Sequence, residues 1–241
     1  MNARCLTSTL ASYTTGRYRA GRIVFGERVA LRLVRDAHAL GLAALEPGEV
    51  LERLLALGRA SFGAGGEGVV RLEARAGGEL VASTRPLGPE PETWRAITAA
   101  VVHPGPGPAP GAKQAEVAAL ASARAEIVAA SVDEALLFDA GGRLVEGART
   151  NLALALEGGR WVMPPAVRGA VRGVALEAAL EAGVPLAERD VLRDALRQVR
   201  EIVATNAVRG ARPIVALDGK PVGDGRPGPL AAALAAALAR G

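Results

Sequence analysis

Lysine is rare in this chain, and one of its two lysines stands at a position suited to chemistry. Of the 29 Lys and Arg residues, only Lys113 and Lys220 are lysine. An arginine side chain stays protonated at any working pH, whereas a desolvated lysine amine can lose its proton and attack a carbonyl carbon to form a Schiff base. Lys113 closely follows the Pro/Gly stretch "HPGPGPAPG" (103–111), while Lys220 lies in the turn-like "LDGKPVG". Lys113 is therefore the candidate nucleophile, against the alternative that two lysines fall at these positions by chance.

Three carboxylates, Glu134, Asp139 and Glu146, stand near predicted turns or strands. Such residues are most often solvated surface groups. Glu146 differs because it ends a predicted strand and precedes Gly147, where a ligand or backbone can approach closely. Gly169 stands just before a predicted helix, whose first N–H groups could face an anion, although an ordinary helix start explains it equally well.

Two other patterns predict no site. Gly63, Gly65 and Gly68 match the dinucleotide-binding spacing G-x-G-x-x-G, but a helix precedes them and a strand follows, which is the reverse of the required order. His38 and His103 have no cysteine near them, so we predict no metal site.

Composition excludes several classes of function. The net charge is only +4, charges of both signs are interspersed, and 3% of residues are aromatic, which is unlike a clustered nucleic-acid-binding face. The single cysteine, Cys5, suits a reducing compartment, and the first residues contain no apolar signal segment. The longest apolar run, 230–239, is too short for a membrane span. We expect a cytoplasmic protein that binds neither nucleic acid nor membrane.

The predicted elements mix strands and helices without strict alternation, which favours an α+β fold. The first part contains a hairpin turning at Ala20-Gly21, two amphipathic helices, and a second hairpin that turns at "AGGE". One of these helices places Val29, Leu33, Ala37 and Leu40 on one face.

The second part begins with a long predicted helix over about 113–130. A meander of strands follows, then two helices ("VALEAALEAG" and "LRDALRQVR"), the strand "EIVATN", a hairpin at Asp218-Gly219 and a final helix. Because "HPGPGPAPG" interrupts all regular structure, we predict two domains: a smaller one over 1–103, a linker over 104–112 and a larger one over 113–241.

Several motifs, in this order, resemble the class IV aminotransferase family. They are Lys113 near the predicted domain junction, "DEALLFDAGGRLVEGARTN" (133–151), "PPAVRGAVRG" (164–173), "TNAVRGARPI" (205–214) and "LDGKPVGDGRPGPL" (217–230). The resemblance implies a two-domain fold type IV enzyme of the D-amino acid aminotransferase type. It also implies pyridoxal 5'-phosphate as cofactor, an active site between the domains and a homodimer.

The resemblance also assigns roles to individual residues. It implies that Lys113 binds the cofactor covalently and shuttles a proton, and that Glu146 faces the pyridine nitrogen and keeps it protonated. Arg32 would pair with the cofactor phosphate, and Thr15 would assist proton transfer beside the lysine. The phosphate cup would be completed by Ala170, Val171, Asn206 and Ala207.

Within the family, "YTTGR" (13–17) and "TNAV" are similar to the corresponding stretches of aminodeoxychorismate lyases. This implies a lyase that releases 4-aminobenzoate and pyruvate. The alternatives are a transaminase for branched-chain or D-amino acids, and a weakly active cofactor-binding homologue. Basic residues expected just before the lysine are absent apart from His103, and Val117, Val171 and Ala207 replace residue types usual at their positions.

Overall fold

The structure is a computed structural model that describes residues 10–42, 44–89 and 91–239. Cys5 and the rest of the first nine residues lie outside the described residues. The strands are β1 (Ala11–Arg19), β2 (Arg22–Ile23), β3 (Glu67–Arg75), β4 (Leu80–Arg85), β5 (Trp94–Val102), β6 (Glu134–Phe138), β7 (Leu144–Gly147), β8 (Asn151–Leu156), β9 (Trp161–Met163), β10 (Ala187–Glu188), β11 (Val199–Asn206), β12 (Gly210–Leu217) and β13 (Lys220–Pro221). The helices are α1 (Gly26–Ala39), α2 (Pro47–Phe62), α3 (Ala118–Ala130), α4 (Val174–Glu181) and α5 (Pro229–Leu238).

The N-terminal sheet has four antiparallel strands in the order β2-β1-β3-β4. Helices α1 and α2 pack on one face through Val29, Leu33, Val50 and Leu54, which all have at most 1% of their surface exposed. Alternation along β1 turns Thr14 and Tyr18 toward these helices. Tyr13 and Thr15 therefore line the opposite face of this sheet, which is one wall of a cleft.

The larger sheet has nine strands, ordered β10-β9-β8-β11-β12-β5-β6-β7, with β13 paired to β12. Helix α3 packs on β5 and β6, and helices α4 and α5 pack on β11 and its neighbours. Helices pack on both sheets, which confirms the predicted α+β class.

Most predicted elements are present, including the hairpins at Ala20-Gly21 and Asp218-Gly219. Three differ. The helix expected over 113–130 begins only at Ala118, because residues 113–115 instead hydrogen-bond to β1. The segment "LRDALRQVR" forms a short 3₁₀ turn over Arg193–Gln198. Strand β5 was not predicted, although its Trp, Ile, Thr and Val residues favour a strand.

The predicted linker does not form regular structure, but it is not detached from the fold. Ala109 and Ala112 are buried against Leu40 at the end of α1. The division into domains 1–103 and 113–241 stays a prediction. Strand β5 precedes the linker and yet pairs with β6 and β12, so a division by sheet would fall between β4 and β5.

Candidate active site

The backbone of Lys113 is anchored by hydrogen bonds on two sides. Its carbonyl oxygen accepts hydrogen bonds from the Tyr13 N–H (3.2 Å) and the Ser12 hydroxyl (3.1 Å), both on β1. Its N–H donates to the Asp36 carboxylate (2.9 Å), which lies on α1 and is 1% exposed. The amine of Lys113 therefore extends into the cleft from a rigid backbone.

Tyr13 is the side chain that the structure places against the Lys113 amine. The Lys113 Nζ atom lies 4.8 Å from the centre of the Tyr13 ring, close enough for a cation–π contact. Burial alone would raise the pKa of the phenol, but the positive charges of Lys113, Arg124 and Arg71 outweigh burial and lower that pKa below its ordinary value. A phenol and an amine so coupled can exchange a proton.

Arg32 lies deep in the site with 6% of its surface exposed. One guanidinium nitrogen donates to the Thr14 hydroxyl (2.8 Å), which in turn donates to the Val29 carbonyl (2.9 Å). The Arg32 Nε atom is buried and has no hydrogen-bond partner within the described residues. Burial lowers the pKa of Arg32, partly opposed by the Asp36 carboxylate. An unpaired buried donor on a cation is suited to an anion.

Glu146 occupies the other side of the site, on β7, and is 4% exposed. One carboxylate oxygen accepts the Val171 N–H (3.0 Å), and the other lies 3.4 Å from His103 Nε2. The Gly105 N–H donates to His103 Nδ1 (3.0 Å), so in the neutral imidazole the proton sits on Nε2 and points at Glu146. Both oxygens of the carboxylate are therefore fixed in direction.

The remaining predicted residues lie around this centre. Asn206 and Ala207 line both the cleft and a narrower inner cavity, and the Asn206 side-chain oxygen accepts the Val208 (3.0 Å) and Arg209 (2.7 Å) N–H groups. Val171 lines the inner cavity, but its N–H is engaged by Glu146. Ala170 is buried and lines neither cavity. Thr15 lines the cleft without a hydrogen bond to Lys113 in the described part of the chain.

The cleft measures about 560 Å³, and the inner cavity about 40 Å³. Lys113, Tyr13 and Arg32 line both, so the two spaces meet at the lysine. Volumes of 300 to about 1,000 Å³ are usual for sites that bind small molecules and cofactors. The cleft is the space in which a cofactor ring and a substrate could lie together.

The cleft is strongly cationic. Among the described residues its lining carries one carboxylate, Asp133, and seven positive groups, which are Arg32, Arg71, Arg85, Lys113, Arg124, Arg149 and Arg209. The Asp133 carboxylate accepts the Arg95 N–H (2.8 Å). Positive charges concentrated in a cleft attract anions.

A buried carboxylate supports the turn that follows Glu146. Glu134 on β6 is fully buried and accepts hydrogen bonds from the Ala135 N–H (2.9 Å) and the Thr150 hydroxyl (2.8 Å). Burial raises the pKa of Glu134 to about 7 although these two bonds lower it. A side chain at Gly147 would lie 2.4 Å from the Thr150 hydroxyl oxygen, so glycine is required there. The close approach expected at Gly147 is made by Thr150.

The structure brings Lys113, Arg32, Glu146, Asn206 and Ala207 around one cavity. Sequence reasoning missed Tyr13, Asp36 and the arginines of the cleft other than Arg32. Tyr13 stands two positions before Thr15, so strand alternation could have placed both on one face. Nothing in the sequence signals Asp36, whose role depends on the path of the linker.

The described residues hold no group of three or more His, Cys, Asp or Glu side chains placed to bind a metal ion. Within residues 10–42, 44–89 and 91–239, none of the helices has the length and apolar character needed to cross a bilayer.

The chain is similar to proteins of one known family. The sequence profile of the family described as amino-transferase class IV matches residues 11–217. No curated protein matches the chain.

Solved structures share the fold at low identity. A protein provisionally assigned as a 4-amino-4-deoxychorismate lyase from Legionella pneumophila superposes with a TM-score of 0.83 at 17% identity, over 96% of this chain and 91% of that one. The branched-chain amino acid aminotransferase of Escherichia coli gives 0.79 at 19% identity, over 95% and 84%. An aminotransferase from Brucella abortus, bound to pyridoxal phosphate, gives 0.78 at 20%, over 100% and 94%.

Proposed function

The chain belongs to the class IV aminotransferase family of pyridoxal-phosphate enzymes, and from that membership we propose that it is a lyase converting aminodeoxychorismate to 4-aminobenzoate and pyruvate. The observation that supports this activity over its alternatives is the charge of the cleft beside Lys113. A dicarboxylate substrate needs cationic partners, and six arginines line that cleft. The basic residues that are missing just before Lys113 are thus replaced by arginines from other elements.

The residues present fit the cofactor. The buried, unpaired Nε of Arg32 suits a phosphate group, and Asn206 and Ala207 lie on the same cavity. Ala170 and Val171, which the family resemblance adds to the phosphate cup, fit less well, because the Val171 N–H is engaged by Glu146 and Ala170 lines neither cavity. Lys113 and Glu146 line the same cavity and would hold the aldehyde and the ring nitrogen. When bound, pyridoxal phosphate supplies an electron sink for negative charge at the substrate carbon next to the amine.

Glu146 would hold a proton on the ring nitrogen of the cofactor. A carboxylate can do this only if it stays ionised and correctly aimed. The Val171 N–H donates to one of its oxygens (3.0 Å), and His103 Nε2 lies 3.4 Å from the other. Glu146 is thereby oriented before any ligand arrives.

Lys113 would take the proton from the substrate carbon that bears the amine, after which enolpyruvate leaves from the neighbouring carbon and is protonated to pyruvate. Tyr13, whose ring lies against the Lys113 amine, would keep the amine in place and share its proton. Thr15 faces the same cleft from the next position on that side of β1 and would assist proton transfer to the substrate. A hydroxyl can relay a proton without adding charge to a cleft that receives a dianion.

A second candidate is a transaminase for branched-chain or D-amino acids. It is favoured by the apolar side chains of Val69, Trp94 and Val208, which share the cleft with the arginines. Transamination would leave the cofactor in its amine form until a 2-oxo acid arrives, whereas the lyase leaves it as the aldehyde after each turnover. A weakly active cofactor-binding homologue is the third candidate.

The deciding experiment assays the purified protein with aminodeoxychorismate and, separately, with leucine or D-alanine plus 2-oxoglutarate. We expect 4-aminobenzoate and pyruvate in equal amounts, and a cofactor absorbance that keeps its aldehyde form when amino acids alone are added. Rapid conversion of the cofactor to its amine form by leucine or D-alanine would instead identify a transaminase. No turnover in any assay would leave the weakly active homologue.

A homodimer in the cytoplasm is also part of the proposal. The homodimer rests on the family resemblance, and the location on the composition described above. Light scattering of the purified protein measures its mass in solution, and a mass near one chain would contradict the dimer.

A further inference from the structure

The arginines of the cleft differ in what they already bind. Arg71 forms an ion pair with Glu73, and its guanidinium lies 3.6 Å from the centre of the Tyr13 ring. Arg124 donates to the Leu120 carbonyl (2.9 Å), and Arg209 donates to the Pro89 carbonyl (2.9 Å). These three side chains are engaged in holding the walls of the cleft.

Arg149 differs from them. Its side chain lines both the cleft and the inner cavity, and it is exposed. Within residues 10–42, 44–89 and 91–239 the Arg149 guanidinium makes no hydrogen bond and no ion pair. The Arg149 backbone carbonyl accepts a hydrogen bond from the Asn206 amide (3.4 Å).

The backbone that carries Arg149 is nevertheless fixed. The Gly147 N–H donates to the Thr150 carbonyl (2.9 Å), and the Thr150 hydroxyl donates to the buried Glu134 (2.8 Å). This turn starts directly after Glu146. A guanidinium with free donors is therefore presented from a rigid turn three residues beyond the proposed partner of the cofactor ring.

Arg85, at the end of β4, lines the same cleft as Arg149 from the N-terminal sheet. Within residues 10–42, 44–89 and 91–239 its guanidinium donates only to the neighbouring Pro86 carbonyl (3.3 Å). Burial lowers the pKa of Arg85, and the positive charges of Arg209 and Arg149 lower it further. Positive charges close enough to disfavour one another gain when an anion enters between them.

We infer that Arg149 and Arg85 form an anion subsite that takes the second carboxylate of a dicarboxylate substrate, while the substrate amine lies at Lys113. The inference rests on the proposed lyase function and specifies its substrate class. Arg149 suits this role because it lines the same two cavities as Lys113, so one small molecule can reach both. A planar guanidinium can bind a carboxylate through two parallel hydrogen bonds.

The phosphate of the cofactor is the competing occupant. Arg32 already offers a buried, unpaired donor for a phosphate, whereas Arg149 is exposed to the cleft. The carboxylate of the substrate is therefore the better match for Arg149.

The test is calorimetric titration of the protein loaded with pyridoxal phosphate, using two unreactive probes, isophthalate with two carboxylates and benzoate with one. We expect isophthalate to bind roughly tenfold or more tightly than benzoate, as for one added charge-assisted pair. Arg149→Gln and Arg85→Gln should each remove most of this preference. Arg59→Gln, on an exposed position of α2 outside the cleft, is the matched control and should keep it.

The outcomes separate the subsite from the lyase activity. Equal binding of both probes by the unchanged protein overturns the subsite, even if 4-aminobenzoate is formed. If Arg149→Gln loses cofactor affinity but keeps the probe preference, Arg149 binds the cofactor phosphate. That result also overturns the subsite. A preference that disappears in both variants supports the subsite, even if the assay with aminodeoxychorismate gives no product.

Discussion

Arg32 is the site residue that is least favourable for the stability of the ligand-free protein. A buried guanidinium with an unpaired Nε lowers stability unless an anion compensates it. Among the described residues, the Thr14 hydroxyl is the one side chain to which Arg32 donates a hydrogen bond. The loss of stability in the ligand-free protein is explained if a bound anion accepts a hydrogen bond from the Arg32 Nε.

Replacing Arg32 should therefore weaken cofactor binding without lowering the stability of the cofactor-free protein. Arg32→Met should weaken pyridoxal phosphate binding by at least about 2 kcal/mol, because a charge-assisted pair is lost. The same change should leave the unfolding free energy of the cofactor-free protein equal or higher, because a buried charge is removed. Fluorescence titration with the cofactor and urea unfolding measure the two effects.

The matched control is Arg35→Met. Arg35 lies one turn along the same helix, but it is half-exposed and paired with Asp36 and Glu177. It should change cofactor affinity little. If Arg35→Met weakens binding more than Arg32→Met, the phosphate lies elsewhere than proposed.

Residue types alone were enough to single out Lys113, since it is one of two lysines among 29 basic residues. Glu146 and Arg32 needed the family motifs around them. Tyr13 and Asp36 could not be found in this way, because their roles arise from contacts with a segment 77 or more residues away that the sequence predicted as helix.

At the scale of elements, the junction of β6, β7 and β8 fixes the turn between Glu146 and Asn151. Glu134 lies beneath this turn and holds Thr150. Because the pKa of Glu134 is raised from 4.5 to about 7, the folded protein binds its proton more tightly than the unfolded chain does.

The unfolding free energy should therefore depend on pH through this group. The contribution of protonated Glu134 is complete below about pH 4.5 and is lost as the pH rises through about 7. Relative to Glu134→Gln, the unchanged protein should lose up to about 3 kcal/mol between these limits. Urea unfolding of both proteins at pH 5 and pH 8 measures this, and a constant difference at both pH values would show that Glu134 does not titrate in this range.

The elements that the sequence predicted well are those whose pattern is local. The amphipathic helices and the tight hairpins depend on spacing and turn residues within a few positions. The segment 113–115 is different, because it hydrogen-bonds to β1, about 100 residues earlier in the chain. Helix propensity favoured a helix there, and a tertiary contact overrode it.

At the scale of the whole molecule, the site is assembled from both sheets. Tyr13, Thr15 and Arg71 come from the N-terminal sheet, whereas Glu146 and the turn at Asn206 belong to the larger one. The arginines of the cleft come from α1, β3, β4, α3 and two turns of the larger sheet. No sequence motif links them, so the cationic cleft could be found only after the chain was folded.

The most direct test of the account is the place where the cofactor is attached. The protein loaded with pyridoxal phosphate is reduced with borohydride, digested and mapped by mass spectrometry. The chain has only one other lysine, Lys220, in an exposed hairpin, and it serves as an internal control. We predict a pyridoxyl group on the peptide containing Lys113, no more than trace label at Lys220, and loss of the label in Lys113→Arg. Label at Lys220 alone, equal label at both lysines, or no label at either would contradict the account.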